Sequence, residues 1–141
     1  MNRILIVDDD TVIQLLYADE LTEDGYEVMT TSDGSGLMEL IEKKRPDLVV
    51  LDIKLGENDG LDLLQDIRNA YYDLPVVIST AYASFKHDLR SMAADYYVGK
   101  SSDLRELKRK IKRAFESCEQ FPPGAMFNDL RRDVAPLQSA I

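Results

Sequence analysis

The sequence predicts an α/β domain built on a mainly parallel five-stranded sheet, and three observations predict it. Apolar runs of strand type alternate with segments whose apolar residues recur at helical spacing, five of each, joined by short links. Three of the runs are nearly continuous in hydrophobic residues, as strands covered on both faces must be. Several runs also stop abruptly at a carboxylate or hydroxyl, which is how a buried strand reaches a surface loop.

Arg3 to Val7 (Arg-Ile-Leu-Ile-Val) is the first strand, closed by Asp8-Asp9-Asp10. A helix follows with Val12, Leu15, Leu16, Ala18 and Leu21 at helical spacing, ending near Asp24-Gly25. Asp10 is placed to cap it and is read as a cap rather than a ligand. Tyr26 to Thr30 is a short second strand. Ser32-Asp33 is expected to open a second helix on Leu37, Leu40 and Ile41, which Lys43-Lys44-Arg45 and Pro46 end. Asp47 to Leu51 is the third strand, with Asp52 immediately after it. The third helix runs from about Leu61 to Ala70 on Leu61, Leu64 and Ile67. Pro75 leads into the fourth strand, Val76 to Thr80. A fourth helix over about Ser84–Ala93 has a thin apolar face of Phe85, Leu89 and Met92. Tyr96 to Val98 is the fifth strand. The last helix spans Asp103 to about Ser117 on Leu104, Leu107, Ile111 and Phe115.

At 141 residues, with 45% hydrophobic and 30% charged residues, the chain suits a soluble globular domain with a real core and an appendage. No apolar run approaches the ~20 residues of a membrane span. The start enters a strand pattern directly, unlike a signal peptide. The single cysteine, Cys118, cannot form an internal disulfide, which fits a reducing cytoplasm. A formal charge of −9 argues against direct nucleic-acid binding. Gln120-Phe121-Pro122-Pro123-Gly124 is a composition break, so residues 1–119 are expected to form the domain and 120–141 a tail or linker.

In open α/β sheets, ligands bind at the carboxyl ends of the strands. There the first strand delivers Asp8 and Asp9, the third Asp52, the fourth Thr80, and the fifth Lys100 just past Gly99. Three carboxylates at close range repel, and a hard divalent cation with oxygen ligands removes that penalty. Few protein ligands and no His or Cys suit Mg²⁺ (or Mn²⁺), with phosphate as a co-ligand. Lys100 and the Thr80 hydroxyl can satisfy phosphoryl oxygens. The constellation therefore reads as phosphoryl transfer onto an Asp.

Asp8-Asp9, Asp52 with Ile53-Lys54-Leu55 and Asp59-Gly60, Thr80-Ala81, and Tyr97 three before Lys100 together resemble the receiver domain of bacterial response regulators. The resemblance covers roughly residues 2 to 119 and implies a flavodoxin-like (βα)5 fold with helices on both sheet faces. It implies Asp52 as the phosphoacceptor, fed by a sensor histidine kinase or phosphotransfer protein. It implies Mg²⁺ held by Asp9, Asp52 and the backbone carbonyl of Lys54, with Asp8 acting mainly through water. Lys100 and Thr80 would hold phosphoryl oxygens, with backbone N–H groups of Lys54 and Ala81 completing the cradle. Tyr97 resembles an aromatic switch, and the face of the fourth helix and fifth strand would pass the change to a partner, a homodimer that also uses the fifth helix, or an effector not in this chain. Such a domain is not an enzyme, beyond catalysing its own phosphorylation and dephosphorylation.

Two positions depart from the family. Gly56 stands where Pro is usual, and Ser101 follows Lys100 where Pro usually follows. A cis peptide before a residue other than Pro costs about 2.5–4 kcal/mol, so trans is expected at Lys100-Ser101. Lys54 and Tyr82 border the phosphate, where the family tunes the lifetime of the aspartyl phosphate.

Other residues have plainer readings. Tyr96 packs, while Tyr97 stands open between switch and ordinary surface aromatic. His87 is a solvated side chain on a polar helix, and Cys118 a free thiol. The basic run Lys108, Arg109, Lys110, Lys112, Arg113 is a solvated helix face or half of a salt-bridged dimer surface. In the tail, Phe127, Leu130, Val134, Leu137 and Ile141 form an a/d stripe that Pro136 interrupts. That segment docks on the domain, leads to a further part, or is disordered. Two other functions remain open: an interaction scaffold that phosphate does not switch, and a phosphatase with an Asp nucleophile, for which no cap insertion is visible.

Overall fold

The computed structural model describes residues 2–55, 58–81, 94–100 and 103–120. The chain divides into two units, Met1–Ile111 and Lys112–Ile141. In the first, strand β1 (Arg3–Val7) leads to helix α1 (Thr11–Glu23), strand β2 (Glu27–Thr31) to α2 (Leu37–Lys44), and β3 (Leu48–Leu51) to the short strands β4 (Lys54–Leu55) and β5 (Asn58–Asp59). Helix α3 (Gly60–Ala70), strands β6 (Val76–Thr80) and β7 (Tyr96–Gly99), and helix α4 (Arg105–Gln120) complete the described elements.

The main sheet is parallel throughout, in the order β2-β1-β3-β6-β7, which is the flavodoxin-like doubly wound arrangement. Strand composition explains the placing. Every residue of β3 and β6 is buried, so these strands lie inside, whereas the half-buried β2 takes an edge. Alternation sorts the side chains. Leu5, Val7, Val49, Leu51, Val76 and Ile78 form one core layer with Leu37 and Ile41 of α2 and Leu61, Leu64 and Ile67 of α3. Ile4, Ile6, Leu48, Val50 and Val77 are buried on the other face. Tyr17 of α1 bonds Ser79 of β6 there, and Lys108 of α4 pairs with Glu20 of α1 at 2.9 Å.

Local chemistry sets the helix ends. Asp10 caps α1, its carboxylate accepting from the backbone N–H of Val12 at 2.9 Å and of Ile13 at 3.3 Å. Asp59 caps α3 by accepting from Leu61 N–H at 2.9 Å. Three details differ from the sequence expectation. Helix α2 begins at Leu37, because Asp33 accepts from Ser35 N–H at 2.9 Å and Gly36, at φ 75°, closes a turn first. The apolar stripe of α1 is turned, so Val12 and Leu15 are exposed and Tyr17 and Leu21 are buried. The β4–β5 pair, antiparallel with Lys54 opposite Asp59, is too short to announce itself in the sequence. The expected helix at 84–93 with His87, Tyr82, Gly56, the Lys100–Ser101 bond and the tail at 121–141 lie outside the described residues, as does the Cys118 side chain. No helix among the described residues is long and apolar enough to cross a membrane.

Candidate functional site

The sheet order puts its reversal between β1 and β3, and the acids sit at that point. Val7 pairs with Leu51 in register, so the next residues, Asp8 and Asp52, emerge side by side. Asp52 N–H donates to Val7 C=O at 2.9 Å, which continues the ladder one residue past the strand. Both carboxylates are nearly enclosed, with Asp8 2% and Asp52 4% exposed, while Asp9 is exposed. Asp8 is fixed from the start of α1, accepting from Asp10 N–H at 2.9 Å, and Gln14 Nε2 donates to its backbone carbonyl. One carboxylate oxygen from each of Asp8, Asp9 and Asp52 lies within 4.8 Å of the others.

Lys100 enters from the fifth strand of the sheet. Its Nζ stands 2.9 Å from Asp8 Oδ2 and 3.0 Å from Asp52 Oδ2. Its backbone N–H donates to Thr80 C=O at 2.9 Å, tying the ends of β6 and β7. Burial works to lower the Lys100 pKa, but hydrogen bonds to Asp8 and Asp52 and their charges outweigh it, and the ammonium is held above its ordinary value. Thr80 is buried at the same edge and Ala81 exposed beside it. Lys54 is placed two residues after Asp52 by its backbone pairing with Asp59. Tyr97 is half-buried and packs against the α2–α3 core layer.

Gly60 lets the loop behind Asp52 close. Its N–H donates to Ile53 C=O at 2.6 Å, and a Cβ there would fall 2.3 Å from Asp52 O and 2.6 Å from Ile53 Cα. Those are backbone atoms and cannot swing aside, so only glycine permits this approach. Asp59-Gly60 reads in the sequence as a turn, and its contact with the Asp52 backbone does not. The buried Tyr17 hydroxyl, 2.9 Å from Ser79 Oγ, was also not legible, since the partners are 62 residues apart. Arg68 is a third unforeseen piece. It donates to Tyr72 and Leu74 carbonyls and to Asp95 at 3.0 Å, and Asp95 accepts from Val76 N–H, so the entries to β6 and β7 are clamped together.

Comparison with known proteins places the fold in a family. The family model of the response regulator receiver domain matches residues 4–112. The chain belongs to the response regulator receiver domain family. Response regulator MprA of Mycobacterium sp. (strain KMS) is 34% identical over 137 residues, covering 93% of this chain and 60% of that protein. The receiver chain thus spans about 60% of the length of that relative. Among solved structures, response regulator TrrA of Thermotoga maritima in complex with Mg²⁺-BeF is similar at TM-score 0.78 and 40% identity, over 81% of this chain and 99% of that one. A complex of histidine kinase ThkA with TrrA is similar at TM-score 0.76 and 39% identity, over 81% and 98%.

The receiver's acidic edge suits a hard divalent cation. Among the described residues, the clustered donors are the carboxylate oxygens of Asp8, Asp9 and Asp52. Three carboxylates held this close repel one another even with the Lys100 ammonium shared by Asp8 and Asp52, and a divalent cation relieves that repulsion.

Proposed function

We propose that this receiver is a phosphorylation-activated switch of a two-component system, with Asp52 as its phosphoacceptor. The observation that carries the reading is the position of Lys100, bridging Asp8 and the buried Asp52 at the reversal point of the sheet. A lysine there pairs with the acids before transfer and with the incoming phosphoryl oxygens after it.

Asp9, Asp52 and the backbone carbonyl of Lys54 would hold Mg²⁺ (or Mn²⁺), with Asp8 acting mainly through water. When bound, the cation neutralises carboxylate and phosphoryl oxygens that would otherwise repel one another. The chain's own groups do the rest. An Asp52 carboxylate oxygen attacks the phosphorus of a phosphohistidine on a sensor kinase or phosphotransfer protein. The P–N bond breaks, its electron pair stays on the imidazole, and that nitrogen takes a proton from water. Lys100 exchanges one carboxylate contact for a phosphoryl oxygen, the Thr80 hydroxyl donates to a second, and N–H groups of Lys54 and Ala81 complete the cradle. Attack by water on the acyl phosphate later returns Asp52 and inorganic phosphate. This self-directed chemistry is the only catalysis assigned to the domain.

Phosphate contacts at Thr80 and Lys100 favour one of two arrangements of the neighbouring face, with Tyr97 as the aromatic that changes place. Because Lys100 N–H is bonded to Thr80 C=O, the two strand ends move as a pair. The domain comprises residues 1–119, works in the cytoplasm, and is read by a partner, a second copy or an effector part rather than by nucleic acid. Residues 120–141 form its tail or linker.

The test is addition of Mg²⁺ with beryllofluoride to the wild type and to Asp52→Asn, followed by elution volume and amide spectra. Wild type shifts at Thr80, Lys100 and Tyr97 while the variant does not. Identical behaviour of the two overturns the switch reading and leaves an interaction scaffold.

A further inference from the structure

We infer that the buried Tyr17–Ser79 hydrogen bond is a positioning device for the phosphoryl site, setting Thr80 against the wall that carries Asp8 and Asp9. This rests on the function proposed above and adds a pair of residues to it.

Tyr17 is 1% exposed and its hydroxyl lies 2.9 Å from Ser79 Oγ, itself buried. The pair lies on a sheet face whose strand residues Ile4, Ile6, Val50 and Val77 are also buried. A phenylalanine facing a small apolar residue would fill the same volume without desolvating two hydroxyls. What the polar pair adds is direction, because a hydrogen bond fixes distance and angle where apolar packing tolerates sliding. The direction matters because of what each partner adjoins. Tyr17 belongs to α1, whose capping residue Asp10 donates its N–H to the Asp8 carboxylate at 2.9 Å. Gln14, one turn before Tyr17, donates to Asp8 C=O. Ser79 directly precedes Thr80, whose carbonyl receives Lys100 N–H at 2.9 Å. The bond therefore joins the element that fixes Asp8 to the strand end that bears Thr80 and anchors Lys100. These walls are not neighbours in the sheet, since β3 lies between β1 and β6.

The charges agree with this location. Burial raises the Tyr17 pKa, the Ser79 bond and Lys100 oppose it, and Asp8 and Asp52 add to it, so the phenol is neutral and within the field of the site.

Tyr17→Phe removes one hydroxyl and keeps the ring, Ser79→Ala removes the other, and the double variant leaves neither hydroxyl stranded. Ser79→Thr keeps a hydroxyl at that place. The full chain is titrated with Mg²⁺ alone and then with beryllofluoride at saturating Mg²⁺, and urea midpoints are recorded. In the metal-free state, the Thr80 and Lys100 amide resonances are compared. Each single variant binds Mg²⁺ within about twofold of wild type but beryllofluoride about five- to tenfold more weakly, as expected when a contact is misplaced without being removed. Their Thr80 and Lys100 amides shift before any metal is added. Ser79→Thr stays near wild type. The double variant regains stability, having no unpaired buried hydroxyl, yet stays weak for beryllofluoride. Wild-type affinity in Tyr17→Phe overturns the inference. So does a double variant that regains affinity along with stability, since the pair would then matter only for burial. A wild type that ignores Mg²⁺ and beryllofluoride overturns the function itself, and the inference with it.

Discussion

Lys100 holds two nearly enclosed carboxylates with one ammonium, so substitutions on either side of it should have opposite signs. Lys100→Ala removes the ammonium that Asp8 and Asp52 share and is expected to cost about 3 kcal/mol in metal-free urea unfolding, with part regained at millimolar Mg²⁺. Asp52→Asn removes one repelling carboxylate and is expected to stabilise the metal-free fold by on the order of 1 kcal/mol. A destabilised Asp52→Asn would mean that the Lys100 pair outweighs the repulsion. The pH response follows the same residues. The Lys100 pKa is raised from 10.5 by its acidic partners despite burial, and the Tyr17 pKa is raised from 10.0 by burial. In both cases the folded state holds its proton longer than the unfolded state. Stability from these groups is therefore complete below their unfolded values and falls as pH rises through the folded ones. Urea midpoints should be flat through neutral pH and drop above about pH 10, with a smaller drop in Tyr17→Phe.

At the scale of elements, the start of α3 approaches the backbone after β3 closely at Gly60. Gly60→Ala puts a methyl group into the Asp52 and Ile53 backbone, and either the loop or the start of α3 must move. The expected cost is about 2–4 kcal/mol in urea unfolding, together with weaker Mg²⁺ binding because Asp52 and the Lys54 carbonyl move with that loop. Loss of stability with unchanged Mg²⁺ affinity would uncouple the loop from the site. Asp10→Ala, by contrast, removes only a cap and should cost about 1 kcal/mol. The elements differ in how far the sequence revealed them. Strands β1, β3 and β6 are doubly covered, and burial on both faces writes itself into continuous apolar runs such as Ile4–Val7 and Val76–Ile78. Helix α2 starts late because a backbone turn at Gly34–Gly36 forms first, and turn geometry depends on φ rather than on hydrophobic period. The stripe of α1 misleads because Val12 and Leu15 are apolar yet exposed, while amphipathic Tyr17 supplies the buried face.

Across the whole molecule, the candidate site was legible because each of its acids and its lysine sits one or two residues beyond a strand, where order in the chain dictates a shared edge. Its supports were not legible, because Tyr17–Ser79 and Arg68–Asp95 join residues that only the packed helices and sheet bring together. A chain ending at residue 119 tests whether the domain is self-contained. It should unfold cooperatively and match the full chain in beryllofluoride affinity within about twofold, whereas a larger loss would assign the remaining residues to the fold. Mg²⁺ in hundredfold excess over its dissociation constant should add about 2.7 kcal/mol to wild-type stability and much less to Asp52→Asn. The proposed phosphoacceptor is a single residue, Asp52, among 26 acidic ones. That assignment is tested most directly by incubating the protein with Mg²⁺ and a small acyl phosphate, then measuring intact mass and mapping the modified peptide. The expected result is one phosphoryl group per chain, on Asp52, absent without Mg²⁺ and absent in Asp52→Asn. Modification of another residue, or none in the wild type, would contradict it.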